Sequence, residues 1–123
     1  MIKGTGIDLV EVERMKKRIQ KPEFVNLVFT IIEQDYCSSK KYSPQHFAAR
    51  FAAKEAYMKA VGLGWTSDTD FKEIEVVNNE AGKPSLYLHG ATLAFFKKQK
   101  WKTIFVSLSH TKKMASATVV IEG

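Results

Sequence analysis

The sequence predicts an α+β fold in which helices, one of them long and central, pack on a mainly antiparallel sheet. Three observations point there. The chain opens on a short β-branched run, carries helical periodicity and helix-start signals through its middle, and closes mainly on strand-like alternation. One stretch, Phe47 to Val61, is apolar on nearly every helical face, which marks a helix that touches neighbours on more than one side.

Residues 2–9, "IKGTGIDL", read as the first strand, with Gly4 and Gly6 allowing another element to approach closely. Val12, Met15 and Ile19 then recur at helical spacing while Arg14, Lys17, Arg18 and Lys21 occupy the other faces, so an amphipathic basic helix runs up to Pro22. Residues 22–28 add a further helical turn or two. "TIIE" at Thr30 to Glu33 has capping-box spacing and starts a helix over 31–39. Ser43 and Pro44 form a second start signal, serine as cap and proline in the first turn, for a helix from Pro44 to Val61 that stops at Gly62. Alternation on either side of "NNEAGKP" predicts a hairpin of 73–78 and 85–89, and residues 90–99 fit a short helix. "TIFVSLS" and "MASATVVIE", separated by "HTKK", predict a closing hairpin.

A chain of 123 residues with 45% apolar content supports one core, so residues 1–123 are read as a single domain. No run reaches the roughly 18 apolar residues that cross a bilayer, and the N-terminus lacks a secretory pattern, so a cytoplasmic protein without membrane association is expected. The single cysteine, Cys37, excludes a cysteine-rich zinc module and reads as a small buried side chain. Nineteen basic against thirteen acidic residues give a net charge of +6, which favours an anionic partner: nucleic acid, a phosphorylated ligand or an acidic protein. The absence of a nucleic-acid motif, and of aromatics interleaved with the basic cluster, argues against nucleic acid.

On the long helix Phe47, Phe51 and Met58 share one side, Ala49, Ala53, Ala56 and Ala60 another, and Glu55 and Lys59 fall along the seam. At i, i+4 they fit an ordinary ion pair of roughly 0.2–0.5 kcal/mol. On a nearly apolar helix, buried charge needs further compensation, so a chemical role competes with that reading. Asp8 is similarly double: with Glu11 it has capping-box spacing, yet a carboxylate at a strand end can also hold a hard cation. "SLSHTKK" gathers hydroxyls, an imidazole and amines suited to phosphate, and "AGKP" fits a hairpin turn.

Together "GIDLVEVERM", "FAARFAAKEAYMKAVGLG" and "SLSHTKKMASATVV", in that order with "FTIIEQDYC" and "AGKP" between them, resemble the bacterial holo-acyl-carrier-protein synthase family, the small phosphopantetheinyl transferases. The resemblance covers nearly the whole chain. It implies the phosphopantetheinyl transferase fold and transfer of 4′-phosphopantetheine from coenzyme A to a serine of apo-acyl carrier protein, with Mg2+ required and adenosine 3′,5′-bisphosphate released. By motif it implies Asp8 and Glu55 as metal ligands, Lys59 beside the pyrophosphate and His110 at the coenzyme A site. Arg50, Lys83, Pro84 and Ser109 fall in segments that line the family's coenzyme A pocket, and Arg14, Lys17, Arg18 and Lys21 on the helix that docks acyl carrier protein. The family is typically a homotrimer with sites shared between adjacent chains. Lys113 beside Lys112 departs from the family's less basic turn, and residues 65–73 read as a connector or as a mobile lid near the pantetheine arm, the connector being favoured.

Overall fold

The computed structural model describes residues 1–123. In chain order the elements are β1 (Ile2–Glu11), α1 (Val12–Arg18), α2 (Pro22–Val28), α3 (Ile31–Ser38), α4 (Ser43–Val61), a 3-10 turn (Phe71–Glu73), β2 (Ile74–Asn78), β3 (Pro84–Leu88), α5 (Gly90–Lys98), β4 (Thr103–His110) and β5 (Met114–Glu122). The α+β architecture expected from the sequence is present. β1, β5 and β4 form an antiparallel sheet in that order, and β2 and β3 form a separate antiparallel hairpin.

The sheet's inner face is set by alternation: Ala115, Ala117, Val119 and Ile121 of β5 are buried, every second residue facing α4. Their small side chains, and the alanines of α4, let strand and helix close in on each other. A Cβ on Gly6 would overlap the carbonyl oxygen of Ala56, and one on Gly4 that of Ala60, so the two glycines of the opening strand are required by the approach of α4. On the outer face Ile7, Leu9 and Phe105 remain more than half exposed.

Helix starts follow the sequence in part. Thr30 and Glu33 make the full capping box, Thr30 Oγ1 accepting from Glu33 N and Glu33 Oε1 from Thr30 N. Gly62 ends α4 in the left-handed region, φ 88°. Two expectations need correction. β1 runs on to Glu11, which pairs with Met114, so Asp8 lies within the strand opposite Ala117, and the Asp8–Glu11 capping box does not form. Continued pairing with β5 outweighs one cap. Ser43 does not cap α4 either; Tyr42 holds that position without a side-chain bond, and Pro44 alone supplies the start signal.

α4 is buried along most of its length and carries a charge the sequence did not flag. The Lys54 ammonium is fully buried and donates to Glu33 Oε1, Phe71 O and Ile74 O, each at 2.7 Å. Glu33 also accepts from Val76 N at 2.9 Å. Burial pushes the Lys54 pKa down, opposed chiefly by the Glu33 charge. This network ties α3, α4, the 3-10 turn and β2 together. It also sets Phe71, whose ring stacks on Phe51 at 5.3 Å and carries Trp65 at 5.2 Å, so residues 65–73 form a packed connector beside α4.

Candidate functional site

Asp8 and Glu55 face each other where β1 crosses α4, and Lys59, one helical turn beyond Glu55, reaches the same point. Its Nζ lies 3.0 Å from Asp8 Oδ1 and donates at 3.0 Å to Ile7 O. The helix-internal Glu55–Lys59 ion pair is thereby replaced by a cross-element one, because β1 lies close enough for Asp8 to take the lysine. Burial pushes the Glu55 carboxyl pKa up, the neighbouring Asp8 charge adds to this, and Lys59 opposes it. Two carboxylates with repulsion between them make a place for a cation.

The carboxylates open into a cleft of about 450 Å³ whose other walls include Arg14, Arg18, Phe51 and Met114. Two of the four basic residues singled out in the sequence therefore lie beside the acidic pair. Lys21 joins Arg18 in an adjoining groove floored by Phe24, Leu27 and Phe51, and Lys17 stays exposed outside both. On the other side of Glu55 and Lys59 a cavity of about 490 Å³ is walled by Met58, Leu63, Trp65 and Phe71. No cluster of three or more His, Cys, Asp or Glu side chains is arranged to hold a metal, so a metal here would have to draw its remaining ligands from water or substrate.

The other candidate residues form a second group. His110 ends β4, exposed, with its ring 5.7 Å from that of His46 on α4. His46 packs in turn on Tyr36 at 6.0 Å. The Arg50 guanidinium, 2% exposed, lies 4.0 Å over the Tyr36 ring and donates to Asn78 Oδ1. Its Nε is buried without a partner. Asn78 Nδ2 donates to Gly82 O, which joins Arg50 to the hairpin turn that holds Lys83 and Pro84. Lys83 is exposed and Pro84 half-buried, while Ser109 is on the outer face opposite Ser116. Asp8 and Leu108 both pair with Ala117, so His110 stands two strands over and two residues along from Asp8, about 12 Å at ordinary sheet spacings. The carboxylate cleft and the His110–Arg50 group thus occupy different parts of one chain.

Comparison with known proteins adds the family. Residues 4–118 match the model of the 4′-phosphopantetheinyl transferase superfamily. The chain belongs to this superfamily. A superfamily relative, the holo-[acyl-carrier-protein] synthase of Syntrophus aciditrophicus (strain SB), is 42% identical over 125 residues, covering 100% of this chain and 98% of its own. Among solved structures, the holo-[acyl-carrier-protein] synthase of Neisseria meningitidis superposes with a TM-score of 0.92 at 29% identity, covering both chains in full. That of Bacillus anthracis, in complex with CoA (3′,5′-ADP), gives 0.84 at 36% identity over 100% of this chain and 98% of its own. The phosphopantetheinyl transferase fold is therefore that of this chain.

Three polar side chains of this superfamily member were not singled out in the sequence. For Lys54 the one available cue was its place among the alanines of the apolar helix. His46 stands four residues before Arg50 and so on its face of α4, a spacing that would have linked them. Tyr36 gave no signal, because its place under Arg50 depends on how α3 packs on α4.

Proposed function

We propose that the chain is a Mg2+-dependent holo-acyl-carrier-protein synthase, a single-domain enzyme that moves 4′-phosphopantetheine from coenzyme A to a serine of apo-acyl carrier protein in support of fatty acid biosynthesis. The observation that carries this reading is that Asp8 and Glu55 share one cleft with Arg14 and Arg18 while Lys59, bonded to Asp8, joins them from the neighbouring cavity. In the reaction the serine oxygen bonds to the pantetheine-side phosphorus and gives up its proton to a water or carboxylate base, the bridging P–O bond breaks, and adenosine 3′,5′-bisphosphate leaves with the electron pair. Such transfers are catalysed mainly by positioning and charge stabilisation, which is what this group of residues offers.

The donor set fits magnesium: a hard ion that takes one or two carboxylates and completes its shell with water and phosphate oxygens. Bound between Asp8 and Glu55, it would supply neutralisation of the pyrophosphate charge. Lys59 brings a further positive charge to the same point. Arg14 and Arg18, with Lys17 and Lys21 further along the basic helix region, offer a surface for an acidic carrier, whose encounter they would speed. His110 is read as a coenzyme A contact and the segments of Arg50, Lys83, Pro84 and Ser109 as the lining of that pocket, with the buried Arg50 acting through Tyr36 and Asn78.

A homotrimer with sites shared between chains accounts for two further features. Ile7, Leu9 and Phe105 leave an apolar outer sheet face exposed, and the carboxylate cleft and the His110–Arg50 group do not share a cavity within one chain. No helix is long and apolar enough to cross a membrane; the reading places the reaction in the cytoplasm, between coenzyme A and the carrier protein.

The test is transfer to apo-acyl carrier protein with Mg2+ and with EDTA, alongside Asp8→Asn and Glu55→Gln. Transfer should need the metal and fall at least 100-fold in both variants while their melting temperatures stay near wild type. Normal transfer in EDTA, or by Glu55→Gln, would reject the metal assignment. Sedimentation should give three chains; a monomer at micromolar concentration would reject the shared site.

A further inference from the structure

The His110 ring is held by very little of its own. It closes an exposed strand end and makes no side-chain hydrogen bond; the packing that fixes it is the His46 ring, 5.7 Å away at an interplanar angle of 62°. His46 is half-buried on the first turn of α4 and meets Tyr36 edge-on at 73°. Tyr36 in turn lies against Arg50 at 4.0 Å and Lys40 at 4.7 Å. The three rings make a continuous edge-to-face ladder from the buried Arg50 to the exposed imidazole, each step within the range where aromatic pairs attract.

We propose that His46 is a positioning residue that presents His110 to coenzyme A, with Tyr36 as the rung that anchors it to α3. This rests on the reading of His110 as a coenzyme A contact. The rings divide their work by environment. Burial first, then Arg50, His110 and Lys40, push the His46 pKa down, which suits His46 to packing, while the exposed His110 ring is the one open to a ligand. A side chain held in its binding orientation before the ligand arrives saves the cost of ordering it on binding. The effect of His46 should therefore appear in coenzyme A affinity and pass entirely through His110.

The experiment is a double-mutant cycle on the full-length protein, reading KM for coenzyme A, KM for apo-acyl carrier protein and kcat, with direct titration of coenzyme A as a second readout. His46→Ala should raise KM for coenzyme A about 3- to 10-fold with kcat and the carrier KM within twofold of wild type, and His46→Phe, which keeps a ring, should restore it. His46→Ala added to His110→Ala should make coenzyme A binding no weaker than His110→Ala alone, since the packing partner has nothing left to position. A coenzyme A KM unchanged in His46→Ala, or effects that multiply in the double variant, would overturn the proposal. Should His46→Ala melt early, His46→Phe against His46→Gln in the same cycle gives the same comparison: ring kept, ring lost. Wild-type protein that binds no coenzyme A and transfers nothing would refute the underlying reading instead.

Discussion

Replacing Lys54 with methionine tests how the walls of the site are held. Lys54 and Glu33 are both fully buried, and the ammonium is the shared donor to Glu33 Oε1 and to the carbonyls of Phe71 and Ile74. Methionine fills most of the volume but leaves a buried carboxylate without its countercharge and two carbonyls without that donor. Breaking a buried pair by removing one partner costs about 3–5 kcal/mol, a large share of the roughly 5–15 kcal/mol that holds a domain together. Urea unfolding with a slope of about 1.5 kcal/mol/M should move its midpoint down by about 2–3 M. Because the lost bonds anchor the 3-10 turn, Trp65 and Phe71 should loosen first, seen as Trp fluorescence changing ahead of far-UV circular dichroism. Lys54→Met combined with Glu33→Gln should cost less than the two single changes together, since the second removes the stranded charge. A loss below about 1 kcal/mol in Lys54→Met, or strict additivity in the pair, would refute the argument that this network holds the connector.

Gly6→Ala would push a methyl into the Ala56 carbonyl and force β1 away from α4, costing at least about 1–3 kcal/mol and displacing Asp8 from Glu55; a variant with wild-type melting and transfer would contradict the close approach. The folded state raises the Glu55 pKa above its ordinary 4.5 and so holds that proton more tightly than the unfolded chain. Its stabilising contribution is complete below the ordinary value and is lost as pH rises through the raised one. Metal-free Glu55→Gln should accordingly gain stability relative to wild type as pH climbs from 4 to 7, read by chemical denaturation, and a constant difference would show that Glu55 is not perturbed. Cys37 is fully buried and its thiol pKa is pushed up to about 12, so a thiol reagent at pH 8 should label it only as fast as the chain unfolds; complete labelling of native protein within minutes would contradict the packing of α3 on α4.

Much of the architecture was legible because it rests on local physics. The 3.6-residue periodicity, the Thr30–Glu33 box, Pro44 and Gly62 delimited the helices, and period-two alternation the strands. What the sequence left double turned on tertiary pairing: the capping reading of Asp8 fell once β5 claimed the strand as far as Glu11, and the Glu55–Lys59 ion pair fell once β1 brought Asp8 to the lysine. The glycines of β1 and the alanines of α4 were visible separately, but their meaning as one tight crossing needed both elements in place. The motif residues came from resemblance, which is blind to partners such as His46 and Tyr36 that matter only through what they touch. Lys54 was hidden for a different reason: a lysine is normally solvated, and only the convergence of Glu33 and two carbonyls from distant segments makes its burial tolerable.

The most direct test of the account is the intact mass of apo-acyl carrier protein after incubation with coenzyme A, Mg2+ and the wild-type chain. The carrier should gain the mass of one phosphopantetheinyl group, on its serine, with adenosine 3′,5′-bisphosphate released in equal amount. Carriers of several bacterial sources left at their starting mass would contradict it.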